Sequence, residues 1–177
     1  MREMIKLGLI LLLITAVAGL VLGVVNSMTA DVIEERLIAE SLEAMESFFP
    51  DLDDASIIDE SEFLDYDRVE EGFEVFSNGD VIGYTFKTNT NGYGGTIEML
   101  TGINVEGEVV GIAILSQSET PGLGDVIETD DFKERFVGID VDGEIDVDTI
   151  SGATVSSNAV IQGVESAIEV YLEVFGN

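Results

Sequence analysis

The sequence predicts an α+β fold in which a single N-terminal transmembrane helix precedes one domain with a mainly antiparallel sheet packed by helices. Three features of the chain predict this fold. Residues Leu7–Val25 are uncharged and mostly apolar, the pair Asn78-Gly79 separates two extended segments, and Val155–Phe175 follow an amphipathic helical pattern. The 177 residues suffice for one membrane anchor and one domain with a normal core.

The apolar run Leu7–Val25 predicts the anchor, because at about 1.5 Å per residue it reaches roughly the 30 Å of a bilayer core. Arg2 and Lys6 precede the run and acidic residues follow it. The positive-inside rule therefore places the N-terminus in the cytoplasm and the domain outside. Ala16-Val17-Ala18 also has the form of a signal-peptide cleavage site. Since apolar residues continue well beyond Ala18, the sequence favours an uncleaved anchor.

Residues 29–49 follow a helical pattern, Pro50 ends it, and an acidic connector fills residues 51–67. The helix is either a stalk or an element packed on the domain, and packing is the favoured role. The predicted division of the chain is an anchor with a cytoplasmic stub (1–28), a helix with its connector (29–67) and a domain (68–177).

Four strands are predicted in the middle of the chain: Gly72–Phe76, Val81–Thr88, Gly95–Asn104 and Val109–Ser116. Asn78-Gly79 joins the first two, because Asn-Gly between extended runs is the strongest short hairpin signal. Val105–Glu108 is the turn between the last two. Gly92–Gly95 is either an ordinary loop, which is the favoured interpretation, or a flexible segment whose backbone approaches a planar ligand.

Three elements are predicted after the sheet. Asp125–Val137 resembles a short helix, with Phe132 and Phe136 one turn apart, and Gly138–Asp148 is expected to form an acidic strand and turn. Val155–Phe175 is the amphipathic C-terminal helix.

Composition excludes several classes of function. The chain has 36 acidic and 7 basic residues, a net charge of −29, so its surface repels nucleic acid. The acidity is either a solvated surface suited to a salty medium, which is favoured, or a docking face for a cationic partner. The chain contains no Cys and no His, which excludes thiolate-held iron–sulfur clusters, His-ligated copper and Cys/His zinc sites. If it carries electrons, an organic cofactor such as a flavin must do so.

An acidic segment with Asp140, Asp142, Gly143, Asp146 and Asp148 has a faint similarity to a calcium loop. It lacks one oxygen ligand before the glycine and the Glu at the loop end. A solvated turn is therefore favoured, and no metal site is predicted.

Ser151-Gly152-Ala153-Thr154 leads directly into the predicted C-terminal helix. Gly152 and Ala153 are small enough to let a bulky group lie against the backbone, and the N–H groups and dipole of a helix start favour an anion such as phosphate. The alternative is that Thr154 or Ser151 is only the N-cap of the helix. Local physical chemistry alone favours the cap.

A second glycine-rich loop, Ser118–Gly124, follows the last predicted strand. Pro121-Gly122 predicts a tight turn in which Gly122 has a positive φ. Glu119 and Thr120 bring hydrogen-bonding groups to the end of that strand.

The segment Asp148-x-x-Ser151-Gly152-Ala153-Thr154 resembles the flavinylation motif of the FMN-binding domain family, in which a flavin transferase joins FMN through its phosphate to the last threonine. Ser118–Gly124 resembles the second signature of that family. One departure is Gln117, where Ser or His is often expected. The resemblance covers nearly the whole chain, and it is greatest for the G subunit of the Rnf membrane complex. The C subunit of the sodium-pumping NADH:quinone oxidoreductase is a related member.

The resemblance implies a role for each matching residue. Thr154 would be the esterified acceptor of FMN, and Asp148, Ser151, Gly152 and Ala153 would form the turn that the transferase reads. The residues expected beside the isoalloxazine ring or the ribityl chain are Glu119, Thr120, Gly122, Leu123 and Gly124. Abundant carboxylates would lower the flavin potential, although salt screens distant charges over about 10 Å.

As a family member, the chain would be an electron-carrying subunit of a membrane complex that translocates ions. Electrons would pass from reduced ferredoxin toward NAD or a membrane electron carrier, with the other subunits as partners. Two alternatives remain. One is a stand-alone flavin carrier or a subunit of a related pump, and the other is a membrane-anchored acidic adaptor or cation-binding protein without redox chemistry.

Overall fold

Within the residues that the structure describes, five antiparallel strands, adjacent in chain order, form the sheet on which the domain is built. They are β1 (Asp54–Ile57), β2 (Val69–Ser77), β3 (Asp80–Asn91), β4 (Thr96–Asn104) and β5 (Val109–Ser116). The computed structural model describes residues 6, 8, 11–23, 41–59 and 66–176. The chain divides into two compact units, 1–39 and 40–177, and the sheet belongs to the second. The α+β class and the mainly antiparallel sheet are confirmed. The predicted boundaries at residues 28 and 67 stay predictions.

Both predicted hairpins are present. Asn78 and Gly79 have φ angles of 53° and 86°, the left-handed values that a two-residue turn between twisted strands requires. In the β4–β5 turn, the side-chain oxygen of Asn104 accepts hydrogen bonds from the N–H groups of Glu106 and Glu108, at 3.0 and 2.9 Å. Both turns are therefore fixed by local chemistry that the sequence displays.

The C-terminal helix, Thr154–Val174, packs along β3 and β4 as its apolar stripe predicts. Gly163 brings the helix close to the sheet, because a Cβ there would lie 2.6 Å from the sulfur of Met99 and 2.9 Å from Oγ1 of Thr88. At the end of the helix, the ring of Phe175 stacks on Tyr84 with centroids 3.9 Å apart. The helix thus packs on one face of β3 and β4.

The opposite face of the sheet is covered by the segment before β1. Residues 41–45 are helical, and the rings of Phe48 and Phe49 lie against the backbone of three strands at Gly83, Gly102 and Gly111. Added Cβ atoms at Gly102 and Gly111 would lie 2.5 Å from the Phe48 side chain, so glycine is what admits the ring. Packing of this segment on the domain is confirmed for residues 41–49. The earlier part of the predicted helix, 29–40, lies outside the described residues.

The prediction of one helix over Asp125–Val137 is wrong. The segment contains a 3-10 helix (Gly124–Glu128), a short α-helix (Asp130–Lys133) and a 3-10 turn (Glu134–Phe136). Thr129 interrupts it with an extended backbone, and its hydroxyl donates to the carbonyl of Val126 at 2.6 Å. Phe132 and Phe136 are nevertheless both buried, with ring centroids 5.4 Å apart. The apolar spacing therefore identified the buried side chains but not the helix type.

The strand predicted within Gly138–Asp148 is also wrong. A single antiparallel bridge joins Asp140 to Glu108, and the chain then turns, with the Gly143 N–H donating to the Asp140 carbonyl at 2.9 Å. The turn carries the chain away before a ladder can form. Of the acidic segment, therefore, only the turn is confirmed.

Residues 11–23 of the predicted anchor are helical, and their large apolar side chains are exposed. Among the residues that the structure describes, no helix has both the length and the apolar character needed to span a bilayer. Parts of Leu7–Val25 lie outside the described residues, so the anchor stays a prediction.

Removal of the Phe49 ring should destabilise the domain. Phe49 is 4% exposed, and a Phe→Ala change in a core typically costs about 3–5 kcal/mol. We expect Phe49→Ala to lower the free energy of unfolding in urea by about that amount, whereas Val105→Ala, at a side chain 54% exposed, should change it by less than about 0.5 kcal/mol. A loss below about 1 kcal/mol for Phe49→Ala would contradict the packing of this ring against the sheet.

Alkaline pH should also destabilise the fold. Burial raises the pKa of Tyr84, and the Glu74 carboxylate and Tyr171 raise it further. The unfolded chain loses this proton near the ordinary pKa of about 10, while the folded chain retains it, so stability falls as the pH rises above about 10. Tyr84→Phe should weaken that fall when unfolding is measured from about pH 8 to about pH 11. An unchanged slope would show that other groups cause it.

Candidate functional site

A cavity of about 230 Å³ lies where the first turn of the C-terminal helix meets the loops that follow β3 and β5. Most of the site residues predicted from the sequence line it. The lining residues are Tyr93, Glu119, Thr120, Leu123, Gly124, Gly152, Ala153, Thr154, Val155 and Ser156. Two predicted motifs more than twenty residues apart in sequence thus meet at one opening. Asp148, Ser151 and Gly122 are not among its lining residues.

Glu119 is the buried charged group of the cavity, with 6% of its surface exposed. One carboxylate oxygen accepts a hydrogen bond from the Ser156 hydroxyl at 2.6 Å, and the other accepts from the Gly94 N–H at 3.0 Å. The Glu119 N–H in turn donates to the side-chain oxygen of Gln117. The carboxylate therefore connects the β3–β4 loop to the first turn of the C-terminal helix. Hydrogen bonds of this kind are what a buried charge requires.

Glycines on both sides leave room for this carboxylate. A Cβ at Gly124 would lie 2.5 Å from the Glu119 oxygen that Ser156 contacts, and a Cβ at Gly92 would collide with the other oxygen. Any larger residue at either position would have to displace the carboxylate. The Gly92–Gly95 loop, for which the sequence left two interpretations open, is therefore shaped around Glu119, and it places Tyr93 at the cavity.

The C-terminal helix begins without a side-chain cap. Ala153 occupies the cap position with φ −122° and ψ 28°, and no side chain accepts a hydrogen bond from the first turn. The suggestion that Thr154 or Ser151 is the N-cap is therefore wrong. The first helical hydrogen bond runs from the Ser157 N–H to the Ala153 carbonyl at 2.9 Å, so the amides of residues 154–156 precede the helical ladder.

Thr154 differs from the two serines that follow it. Ser156 and Ser157 are buried, and both hydroxyls are engaged: Ser156 donates to Glu119, and Ser157 accepts from the Ile150 N–H at 3.1 Å. Thr154 is exposed and lines the cavity. Of the three hydroxyls in the first turn, it is the one that an external reagent can reach.

The turn before the helix depends on Gly152. Its φ is +89°, a left-handed value that side-chain-bearing residues rarely adopt. A Cβ there would also lie 3.3 Å from Cδ1 of Leu123, the apolar side chain on the facing loop. The Ala153 N–H closes the turn by donating to the Ile150 carbonyl at 3.0 Å.

The predicted residues that do not line the cavity lie on the exposed surface around it. Asp148 is exposed, and its carbonyl accepts a hydrogen bond from the Arg135 guanidinium at 3.2 Å. Gly122 has φ +75° in the predicted tight turn, after which the Leu123 and Gly124 N–H groups both donate to the Thr120 carbonyl at 3.0 Å. Ser151 is exposed on the turn itself.

Comparison with known proteins agrees with this arrangement. Residues 92–169, which contain the whole cavity lining, match the family model of the FMN-binding domain. Over 94% of the chain and 90% of the relative, the sequence is 37% identical to the G subunit of the Na⁺-translocating ferredoxin:NAD⁺ oxidoreductase complex of Acetobacterium woodii. The chain belongs to the FMN-binding domain family. It is also 32% identical to the G subunit of the ion-translocating oxidoreductase complex of Methanosarcina acetivorans, covering 95% of the chain and 94% of the relative.

Solved structures support the fold of this FMN-binding domain. NqrC of Shewanella oneidensis superposes with a TM-score of 0.57 at 15% identity, covering 80% of the chain and 95% of that structure. The C subunit of the Na⁺-translocating NADH-quinone reductase from Parabacteroides distasonis gives a TM-score of 0.54 at 19% identity, covering 77% and 84%. At these identities the likeness concerns the fold alone.

Sequence reasoning did not place Val155 or Ser156 at the cavity of this FMN-binding domain, and for the loop that contains Tyr93 it favoured an ordinary loop over an approach to a ligand. Val155 and Ser156 follow Thr154 directly, so the position of Thr154 at a helix start was the available signal. Tyr93 is 76% exposed in a glycine-rich loop. Its distance from Thr154 in sequence concealed their proximity.

The glycine at position 92 should be required for stability, whereas the one at position 95 should not. A Cβ at Gly92 collides with Glu119, but one at Gly95 has Ser118 Cβ as its nearest atom at 3.4 Å. We expect Gly92→Ala to lower the free energy of unfolding by about 1–3 kcal/mol, as overpacking usually does. Gly95→Ala in the same loop should change it by less than about 0.5 kcal/mol. If both variants lost the same free energy of unfolding in urea, Gly92 would not be needed to leave room for the Glu119 carboxylate.

Proposed function

We propose that this chain carries FMN covalently, through a phosphoester between the flavin phosphate and Oγ1 of Thr154, and serves as an electron-carrying subunit of an Rnf-type ion-translocating oxidoreductase complex. The observation that carries the proposal is the position of Thr154. Its hydroxyl is exposed at the start of a helix with no side-chain cap, on the wall of a cavity.

The residues around Thr154 suit a phosphate. The amides of the first turn and the helix dipole favour an anion, and the dipole contributes about 0.3–1 kcal/mol. Acidic side chains normally compete for that position, yet the first turn of this helix contains none, in a chain of net charge −29. The helix start is thus left available to an anion from outside the protein.

The rest of the cavity suits a planar ligand with polar edges. Leu123 and Tyr93 offer exposed apolar surface, and Thr120 offers a hydroxyl for hydrogen bonding. Gly152 has no side chain that would keep a ring away from the backbone beside Leu123. Bound FMN would supply one- and two-electron transfer, for which this chain has no Cys- or His-based group of its own.

Attachment would require a flavin transferase. Its substrate would be an activated flavin phosphate such as a flavin dinucleotide, so that the Thr154 oxygen forms the new bond to phosphorus while the nucleotide leaves and the hydroxyl proton passes to solvent. Asp148, Ser151, Gly152 and Ala153 would form the recognised turn. Asp148 and Ser151 are exposed, as recognition by another enzyme requires.

The relatives suggest the setting. By name, the Acetobacterium woodii protein belongs to a complex that links ferredoxin to NAD⁺ and translocates Na⁺. In the same way, this chain would pass electrons from reduced ferredoxin toward NAD or a membrane electron carrier, with the other subunits as partners. It would be part of an enzyme rather than a complete one. Leu7–Val25 would anchor it in the cell membrane, with the N-terminus in the cytoplasm and the flavin domain outside.

Experiments can distinguish two alternatives from this proposal. A stand-alone carrier or a subunit of a related pump would hold the same flavin, so co-purifying subunits distinguish these cases. An acidic adaptor in which Thr154 only caps a helix is disfavoured, because Ala153 holds the cap position.

Substitution of Thr154 tests the attachment. With a flavin transferase co-expressed, wild-type protein and Thr154→Ser should each give a flavin-fluorescent band on a denaturing gel and the mass of an FMN adduct. Thr154→Asn should give neither, because an amide cannot form the phosphoester. Fluorescent Thr154→Asn would place the bond elsewhere.

The same position distinguishes attachment from capping. Since no side-chain cap is present, Thr154→Ala should lower the free energy of unfolding of the unmodified chain by less than about 0.5 kcal/mol. A true N-cap would cost about 1 kcal/mol or more. A colourless wild-type protein with unmodified mass would overturn the proposed function.

A further inference from the structure

Glu119 is a buried carboxylate in a chain that also carries many acidic side chains on its surface. It is 6% exposed and lines the cavity, and its two oxygens accept hydrogen bonds from the Gly92–Gly95 loop and from the first turn of the C-terminal helix. Surface carboxylates are screened by salt over about 10 Å, whereas a buried charge is screened much less. Any ligand in the cavity therefore experiences the charge of Glu119 more strongly than that of more distant surface groups.

We propose that the carboxylate of Glu119, rather than the diffuse acidity of the surface, sets the reduction potential of the flavin held in this cavity. The inference rests on the proposed function. Reduction of the flavin takes up two electrons from the donor and one or two protons from solvent. A fixed negative charge beside the ring opposes the added electron density, so Glu119 keeps the potential low.

Ser156 acts on the same charge from the other side. Its hydroxyl donates to Glu119 at 2.6 Å and so partly neutralises the carboxylate. Removing that donor leaves the charge in place but less compensated. The electrostatic role therefore predicts opposite shifts for two kinds of variant. Loss of the Glu119 charge raises the potential, whereas loss of the Ser156 hydroxyl alone lowers it. Loosening of the cavity would instead move both in the same direction.

Glu119→Gln is the informative substitution, because it is nearly isosteric. A glutamine oxygen still accepts from the Gly94 N–H, and its amide donates to the Ser156 hydroxyl, whose proton rotates away. Glu128→Gln is the matched control. Glu128 is exposed and accepts a hydrogen bond from Gln117, the residue that also contacts Glu119, so the same charge is lost from the same neighbourhood at the surface.

The experiment is a dithionite titration, with redox mediators, of the full chain carrying covalent flavin, followed by flavin absorbance. Glu119→Gln should raise the midpoint potential by at least about 30 mV. For a two-electron couple, this corresponds to a tenfold change in the equilibrium between oxidised and reduced flavin. Ser156→Ala should lower the potential, and Glu128→Gln should leave it close to that of the wild type. The wild-type potential should vary little between low and high salt.

Three results would overturn the inference. The first is a Glu119→Gln potential equal to that of the wild type. The second is a shift of the same sign for Glu119→Gln and Ser156→Ala. The third is a wild-type potential that rises steeply with salt, together with a Glu128→Gln shift as large as that of Glu119→Gln. If Glu119→Gln fails to fold, the sign of the Ser156→Ala shift and the salt series decide. A wild-type chain that carries no flavin would instead contradict the proposed function.

Discussion

The hydrogen-bonded carboxylate of Glu119 is the interaction on which the candidate site depends. It joins the Gly94 backbone, the loop after β5 and the first turn of the C-terminal helix, three segments that are far apart in the chain. A buried carboxylate without partners is costly, so all three segments are held to the geometry that satisfies it. The glycines at 92 and 124 follow from the same constraint, because side chains there would occupy the space of its oxygens.

The strong acidity of the chain is compatible with the proposed anion site because the acidic residues are placed unevenly. Most helices gain stability from Asp or Glu in the first turn, and a chain with 36 acidic residues has many to place there. The C-terminal helix has none, and no side chain occupies its cap. The helix therefore gives up a stabilising contact at its start. This is the pattern expected where a local rule is broken for function rather than for folding.

The sequence could predict what adjacent residues determine. Asn78-Gly79 specifies its hairpin by local conformation, and the apolar stripe of the last helix specifies its buried face. The break at Thr129 was not visible, because spacing reports which side chains are buried and not which helix type buries them. Ser156 was missed because its hydrogen-bond partner, Glu119, lies on a loop far from it in the sequence. The resemblance supplied Thr154 and Glu119, but their relation to Ser156, Gly92 and Tyr93 is tertiary.

The shape of the cavity explains why a covalent bond would matter. Pockets that retain small molecules by contact alone typically enclose about 300–1,000 Å³ and bury most of the ligand. This cavity is about 230 Å³, and Tyr93, Leu123 and Val155 at its walls are 76%, 49% and 49% exposed. A flavin here would remain largely open to solvent, which lowers non-covalent affinity but leaves the ring accessible for electron exchange with a neighbouring subunit. A bond to Thr154 would separate the two requirements, because the ester supplies retention and the shallow walls need only orient the ring.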